Sequence, residues 1–173
     1  MIKSGFLPTL KICIEGVLSA MKQNIASTAR SLVEGELNKA GFAIWDVRYE
    51  KDSGVWNLVF EVDLYPSDGR SMSMTDCERA NAIINPIIDK ADLIESSYTL
   101  EVSSAGLTRN LKSNFHFETA CKEGWDVQIK LYTAVDGMKE FSGKISAFSG
   151  KEIEMGNIII NRKNIARATA VLG

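Results

Sequence analysis

Residues 98–111 read Tyr-Thr-Leu-Glu-Val-Ser-Ser-Ala-Gly-Leu-Thr-Arg-Asn-Leu, and this stretch divides the chain. Tyr98, Leu100 and Val102 alternate with Thr99 and Glu101, the period of a half-buried strand. The alternation stops at Ser103-Ser104-Ala105-Gly106, four small residues that suit a compact turn. Gly106 can take a positive φ there without a Cβ clash. Arg109 stands just beyond the turn. The pattern predicts one domain over residues 24–106 and a second over 107–173.

The first domain reads as α-β-β-α-β. Ile25, Ala29, Leu32, Val33, Leu37 and Ala40 recur at helical spacing from Asn24, and Gly41 supplies the stop. Trp45, Val47 and Tyr49 alternate with Asp46, Arg48 and Glu50. Lys51-Asp52-Ser53-Gly54 turns the chain, and Trp56, Leu58, Phe60, Val62 and Leu64 alternate on the return. Pro66-Ser67-Asp68-Gly69 makes a further turn. Thr75 and Glu78 fit a capping box at the start of a second helix, with Cys77, Ala80, Ile84, Ile87, Ile88 and Ala91 as its apolar stripe. Pro86 lies inside that stripe and predicts a kink or an early end, because it lacks a donor and crowds the Ala82 carbonyl. Two helices on one face of a three-stranded sheet form a layout similar to KH-type RNA-binding modules. The Gly-x-x-Gly loop by which those modules grip RNA is missing.

The second domain predicts a short helical turn at Asn114–Glu118 and then five short strands. Trp125, Val127, Ile129 and Leu131 begin them, and Gly143 marks a sharp bend. Strands at this spacing predict a small antiparallel barrel, SH3-like or Sm-like, so the fold class is α+β. Residues 1–23 read as an N-terminal extension outside the fold, with Met21 as the expected physiological start. Their apolar stretch is interrupted by Pro8, Lys11 and Glu15, which no secretory h-region tolerates.

Charge is unevenly spread. Residues 1–23 hold 3 basic and 1 acidic side chains (+2), residues 24–106 hold 7 and 14 (−7), and residues 107–173 hold 10 and 7 (+3), which sum to −2. A simple nucleic-acid binder shows a strong basic excess. An acidic module beside a mildly basic one fits a basic protein partner better, with RNA nearby. At 45% hydrophobic and 24% charged, with three prolines in 173 residues, the chain is globular. No apolar run reaches the 18 or so residues that span a bilayer, so no membrane association is expected. Cys13, Cys77 and Cys121 lie far apart and His116 is the single histidine, which argues for free thiols and against a structural zinc site.

No catalytic set stands out. Ser103-Ser104 lacks the Gly-x-Ser-x-Gly frame of a nucleophile elbow, and His116, between two phenylalanines, reads as a packed side chain. Phosphate-loop, dinucleotide-binding and His-Glu-x-x-His motifs are missing too. The residues therefore predict a non-enzymatic protein with no cofactor and no metal.

Leu100-Glu101-Val102-Ser103-Ser104, Gly106, Arg109 and Leu111 resemble the signature of the bacterial ribosome maturation factor P (RimP) family. Ala105 and Asn110 stand where that family usually has prolines. The resemblance covers roughly residues 24–173 and implies the same pair of folds. It also implies a cytoplasmic assembly factor that binds the immature small (30S) ribosomal subunit, acts with its ribosomal protein twelve and 16S rRNA, and works as a monomer. A stand-alone Sm-like RNA-binding protein is the alternative. The candidate binding residues are Glu101, Ser103, Ser104, Gly106 and Arg109 in the signature turn. Arg109 either pairs with Glu101 or reaches a phosphate. Lys144, Lys151, Arg162, Lys163 and Arg167 are the expected contacts of the barrel with RNA or protein.

Overall fold

A computed structural model describes residues 8–65 and 70–172, with side chains from residue 17 onward. It divides into two compact units, one ending at Ala105 and the other starting at Gly106. The first unit runs α1 (Pro8–Lys39), β1 (Phe42–Asp52), β2 (Val55–Leu64), α2 (Met74–Ala91) and β3 (Tyr98–Ser104). That is the α-β-β-α-β order expected. Its sheet has the order β1-β2-β3, with β1 antiparallel and β3 parallel to β2. Since β2 and β3 run parallel, their connection has to cross over, and α2 is that crossover.

Helix α1 packs through Ala29, Val33 and Leu37, all fully buried, at the i, i+4, i+8 spacing of one helix face. Leu32, expected in the stripe, is instead 42% exposed, because i+3 from Ala29 falls just off the narrow buried line. The helix begins at Pro8 rather than at Asn24, so residues 8–23 continue it without a break. Part of the expected extension, residues 1–7, lies outside the described residues, as does the expected turn at residues 66–69.

Between β1 and β2, Ser53 (φ 49°) and Gly54 (φ 91°) form a two-residue turn with both residues left-handed, the twist a tight hairpin needs. The alternation expected along β1 is interrupted by a bulge between Ile44 and Asp46. Phe42, Ile44, Val47 and Tyr49 therefore face the core, and Trp45 becomes the extra residue. Leu58, Phe60 and Val62 meet them from β2, beneath α1 and α2. Burying a phenylalanine or leucine contributes roughly 1.5–3 kcal/mol, so this cluster dominates the stability of the unit.

Two expectations about α2 need correction. Its N-cap is Ser73, and the capping box joins Ser73 to Asp76 rather than Thr75 to Glu78. Asp76 wins because Arg70 also holds its carboxylate, with Arg70 Nη1 at 2.7 Å from Oδ2. Nor does Pro86 end the helix, which continues to Ala91. Pro86 and Ala82 both lie on the exposed side, where water can take the carbonyl that lost its donor. Ala80, Ile84 and Ile88 keep the buried face intact.

The second unit runs β4 (Thr108–Asn110), α3 (Asn114–Glu123), β5 (Asp126–Val135), β6 (Met138–Lys144), β7 (Ala147–Phe148), β8 (Glu152–Met155), β9 (Ile158–Asn161), a 3-10 turn (Arg162–Asn164) and β10 (Ile165–Val171). Where five strands are expected, the described residues form seven, in two antiparallel sheets ordered β4-β10-β5-β6 and β7-β8-β9. No closed ring of paired strands is seen among the described residues. The cause lies near Gly143 (φ 150°), where the expected single strand over residues 141–147 divides. Its first half pairs with β5. Beyond the bend the Ser146 N–H donates to the Glu154 carbonyl (2.8 Å), which hands the chain to the other sheet. Helix α3 is also longer than the single turn expected. Ser113 caps its start, and Gly124 closes it in the left-handed conformation.

Candidate functional site

With both helices on one face of the first sheet, the other face is open, and the strand register decides what it presents. Three cross-strand rows result: Glu50, Asn57 and Thr99; Arg48, Val59 and Glu101; Asp46, Glu61 and Ser103. Asp63 continues the face along β2. Asp46, Glu50, Glu61, Asp63 and Glu101 with Arg48 give these residues a formal −4 on one side of the sheet. Arg48 is the hub. It contacts Glu61, and lies 3.5 Å from a Glu50 oxygen and 3.7 Å from an Asp46 oxygen. Burial works to lower its pKa, but Glu61, Glu50 and Asp46 together raise it, so the cation is permanent. Val59, between Arg48 and Glu101 in the middle row, is only 4% exposed despite facing outward.

The signature turn leaves this face directly. Glu101 and Ser104 are exposed and Ser103 is half-buried. The Ala105 N–H donates to the Val62 carbonyl at 2.9 Å, carrying the parallel ladder one residue past β3. A proline at 105 has no N–H for this bond, which gives the alanine here a structural use. Gly106 then takes φ 72°, as a turn at this place requires.

Arg109 is 7% exposed on β4, its Nε donates to the Gly106 carbonyl at 3.0 Å, and its guanidinium lies 5.1 Å from the centre of the Trp125 ring. Gly106 and Trp125 both lie in its own unit.

Arg162, expected on the contact surface, is likewise engaged internally. It donates to Asn114 Oδ1 and, at 2.8 Å, to the Lys112 carbonyl, and its guanidinium lies over the rings of Phe117 (4.5 Å) and Phe148 (5.9 Å). Burial pushes its pKa down. It thus ties the turn before β10 to the start of α3. Lys144, Lys151, Lys163 and Arg167 are exposed and keep their ends in solvent.

His116 is a capping residue. It is 3% exposed, and its Nδ1 accepts from the backbone N–H groups of Lys112 (3.0 Å) and Ser113 (3.4 Å). Ser113 Oγ in turn accepts from the His116 N–H at 3.3 Å. A ring nitrogen engaged this way is not available as a catalytic base. Cys77 and Cys121 are free and half-buried, and no group of three metal-ligating side chains occurs among the described residues. None of the described helices is long and apolar enough to cross a membrane.

Sequence reading missed the Arg70–Asp76 pair and the inward turn of Arg109 and Arg162. The alternation of Asp46, Arg48 and Glu50 did signal the charged face.

A mixed sheet backed by two helices, with a charged open face, makes the first unit a compact α+β module. Residues 32–108 match the RimP N-terminal domain, from within α1 to the first residue of β4. Over those residues the chain is similar to the N-terminal domain of the RimP family.

Proposed function

We propose that this protein is a non-enzymatic assembly factor that binds the immature small ribosomal subunit and promotes its maturation in the cytoplasm. The RimP N-terminal domain supports this reading. The observation that carries it further is the acidic open face built by Asp46, Glu50, Glu61, Asp63 and Glu101 around Arg48. Ribosomal proteins are strongly basic, and a face of this charge steers such a partner and disfavours contact with bare RNA. Ribosomal protein twelve of the small subunit is the proposed partner. The exposed Lys144, Lys151, Lys163 and Arg167 are proposed to meet neighbouring 16S rRNA phosphates. For the strands of the second unit we propose an SH3-like arrangement.

Sedimentation of the purified monomer with ribosomal particles at controlled salt tests the reading. Co-migration with free or immature small subunits, and not with large subunits or whole ribosomes, is expected. No association with small subunits at modest salt would overturn it.

A further inference from the structure

The two edges of the first sheet are finished differently. On β1 the strand bulges at Trp45, and Arg30 of α1 donates to the outward carbonyls of Ile44 (2.9 Å) and Trp45 (3.5 Å). A bulge and a capping arginine close that edge to further pairing. On β3 the parallel register fixes which groups are used. Because the Ala105 N–H reaches Val62, the odd residues of β3 address β2. Leu100 and Val102 therefore turn their N–H and C=O groups away from β2, and no hydrogen bond to these groups is seen among the described residues. Between them Glu101 is exposed on the acidic face, while the Leu100 and Val102 side chains pack toward the helices.

We infer that β3 accepts an extended basic peptide segment as a fourth strand of this sheet. Backbone pairing to Leu100 and Val102 would supply the attachment, as in other strand additions. Side chains alternate across the added strand, so every second residue lies beside Thr99, Glu101 and Ser103. Lysine or arginine there meets Glu101 or, beside Ser103, faces Glu61 one strand further. The intervening residues point to the helix side and favour small apolar types. The partner segment is thus one that alternates basic and apolar residues. This rests on the proposed function and names how the basic partner is held.

The test uses the full chain and a ten-residue peptide of alternating lysine and valine, with its affinity measured by fluorescence anisotropy. Two derivatives are N-methylated, one at every lysine and the other at every valine, so charge is kept and alternate donors are lost. Strand addition predicts that one derivative binds at least about tenfold more weakly and the other binds as the parent does. Amide exchange at Leu100 and Val102 should slow on peptide binding, and Glu101→Lys should weaken the parent peptide about tenfold. Equal binding of both derivatives, no binding of any peptide, or protection of these amides by a ten-nucleotide polyuridine instead would overturn the inference. Sedimentation with small subunits is an independent readout. If association persists while strand addition fails, the maturation reading stands and only the binding mode falls.

Discussion

Asp76 shows how one side chain can be over-determined. Its carboxylate accepts from Arg70 Nη1 (2.7 Å), the Ser73 N–H (3.0 Å) and Ser73 Oγ (2.7 Å), at the positive end of α2. Arg70, then the Ser73 backbone and hydroxyl, hold its pKa well below the ordinary 3.8. The native state therefore keeps the charge to lower pH than the unfolded chain does. The stabilisation is complete above about pH 4 and is lost as the pH falls toward the depressed native value. Thermal melts of the wild type and Asp76→Asn should differ clearly at pH 7 and converge below about pH 4. A constant difference across that range would contradict the linkage. Arg109 makes a second prediction at this scale. Arg109→Ala removes a charged donor from the Gly106 carbonyl and a cation from the Trp125 face. It should cost about 2–3 kcal/mol in urea unfolding. Full stability with lost subunit binding would instead make Arg109 a contact residue.

Among the elements, α1 and α2 each carry a helix-weakening residue whose replacement the structure permits. A Cβ at Gly35 would meet nothing within 4 Å, and the position is exposed. Gly35→Ala should therefore stabilise by about 1 kcal/mol. Pro86 is exposed inside α2, and Pro86→Ala should restore the missing bond to Ala82 and add about 1–3 kcal/mol. Guanidinium unfolding midpoints read both changes, and unchanged midpoints would mean that tertiary packing outweighs helix propensity here. The hairpin was legible residue by residue, since Ser53-Gly54 between alternating strands admits few other structures. The bulge at Trp45 was not, because a one-residue insertion leaves the apolar count unchanged and only pairing with β2 exposes it. The cap of α2 was misplaced by two residues for a related reason. Both Ser73 and Thr75 can cap, and Arg70 decides between them from outside the local motif.

For the molecule as a whole, the charge division along the sequence becomes a surface only through strand register. Glu61→Lys combined with Glu101→Lys changes two exposed or half-exposed side chains and makes the open face more positive by four charges. Association with immature small subunits should weaken about tenfold or more, with a melting temperature close to that of the wild type. Unchanged association would move the contact to another surface.

Alternation, helical spacing and turn chemistry are local, and so the sequence by itself determined the α-β-β-α-β order and the resemblance carried by residues 100–111. Side-chain partners distant in sequence are not local. That is why only the tertiary structure sent Arg109 to Trp125 and Arg162 to Phe117 and Lys112, and engaged His116 with its own helix start. The same holds for the divided strand at Gly143 and the open edge of β3. Hydrogen-bond direction along a strand depends on which neighbour it pairs with, and no periodicity in one chain segment records that neighbour.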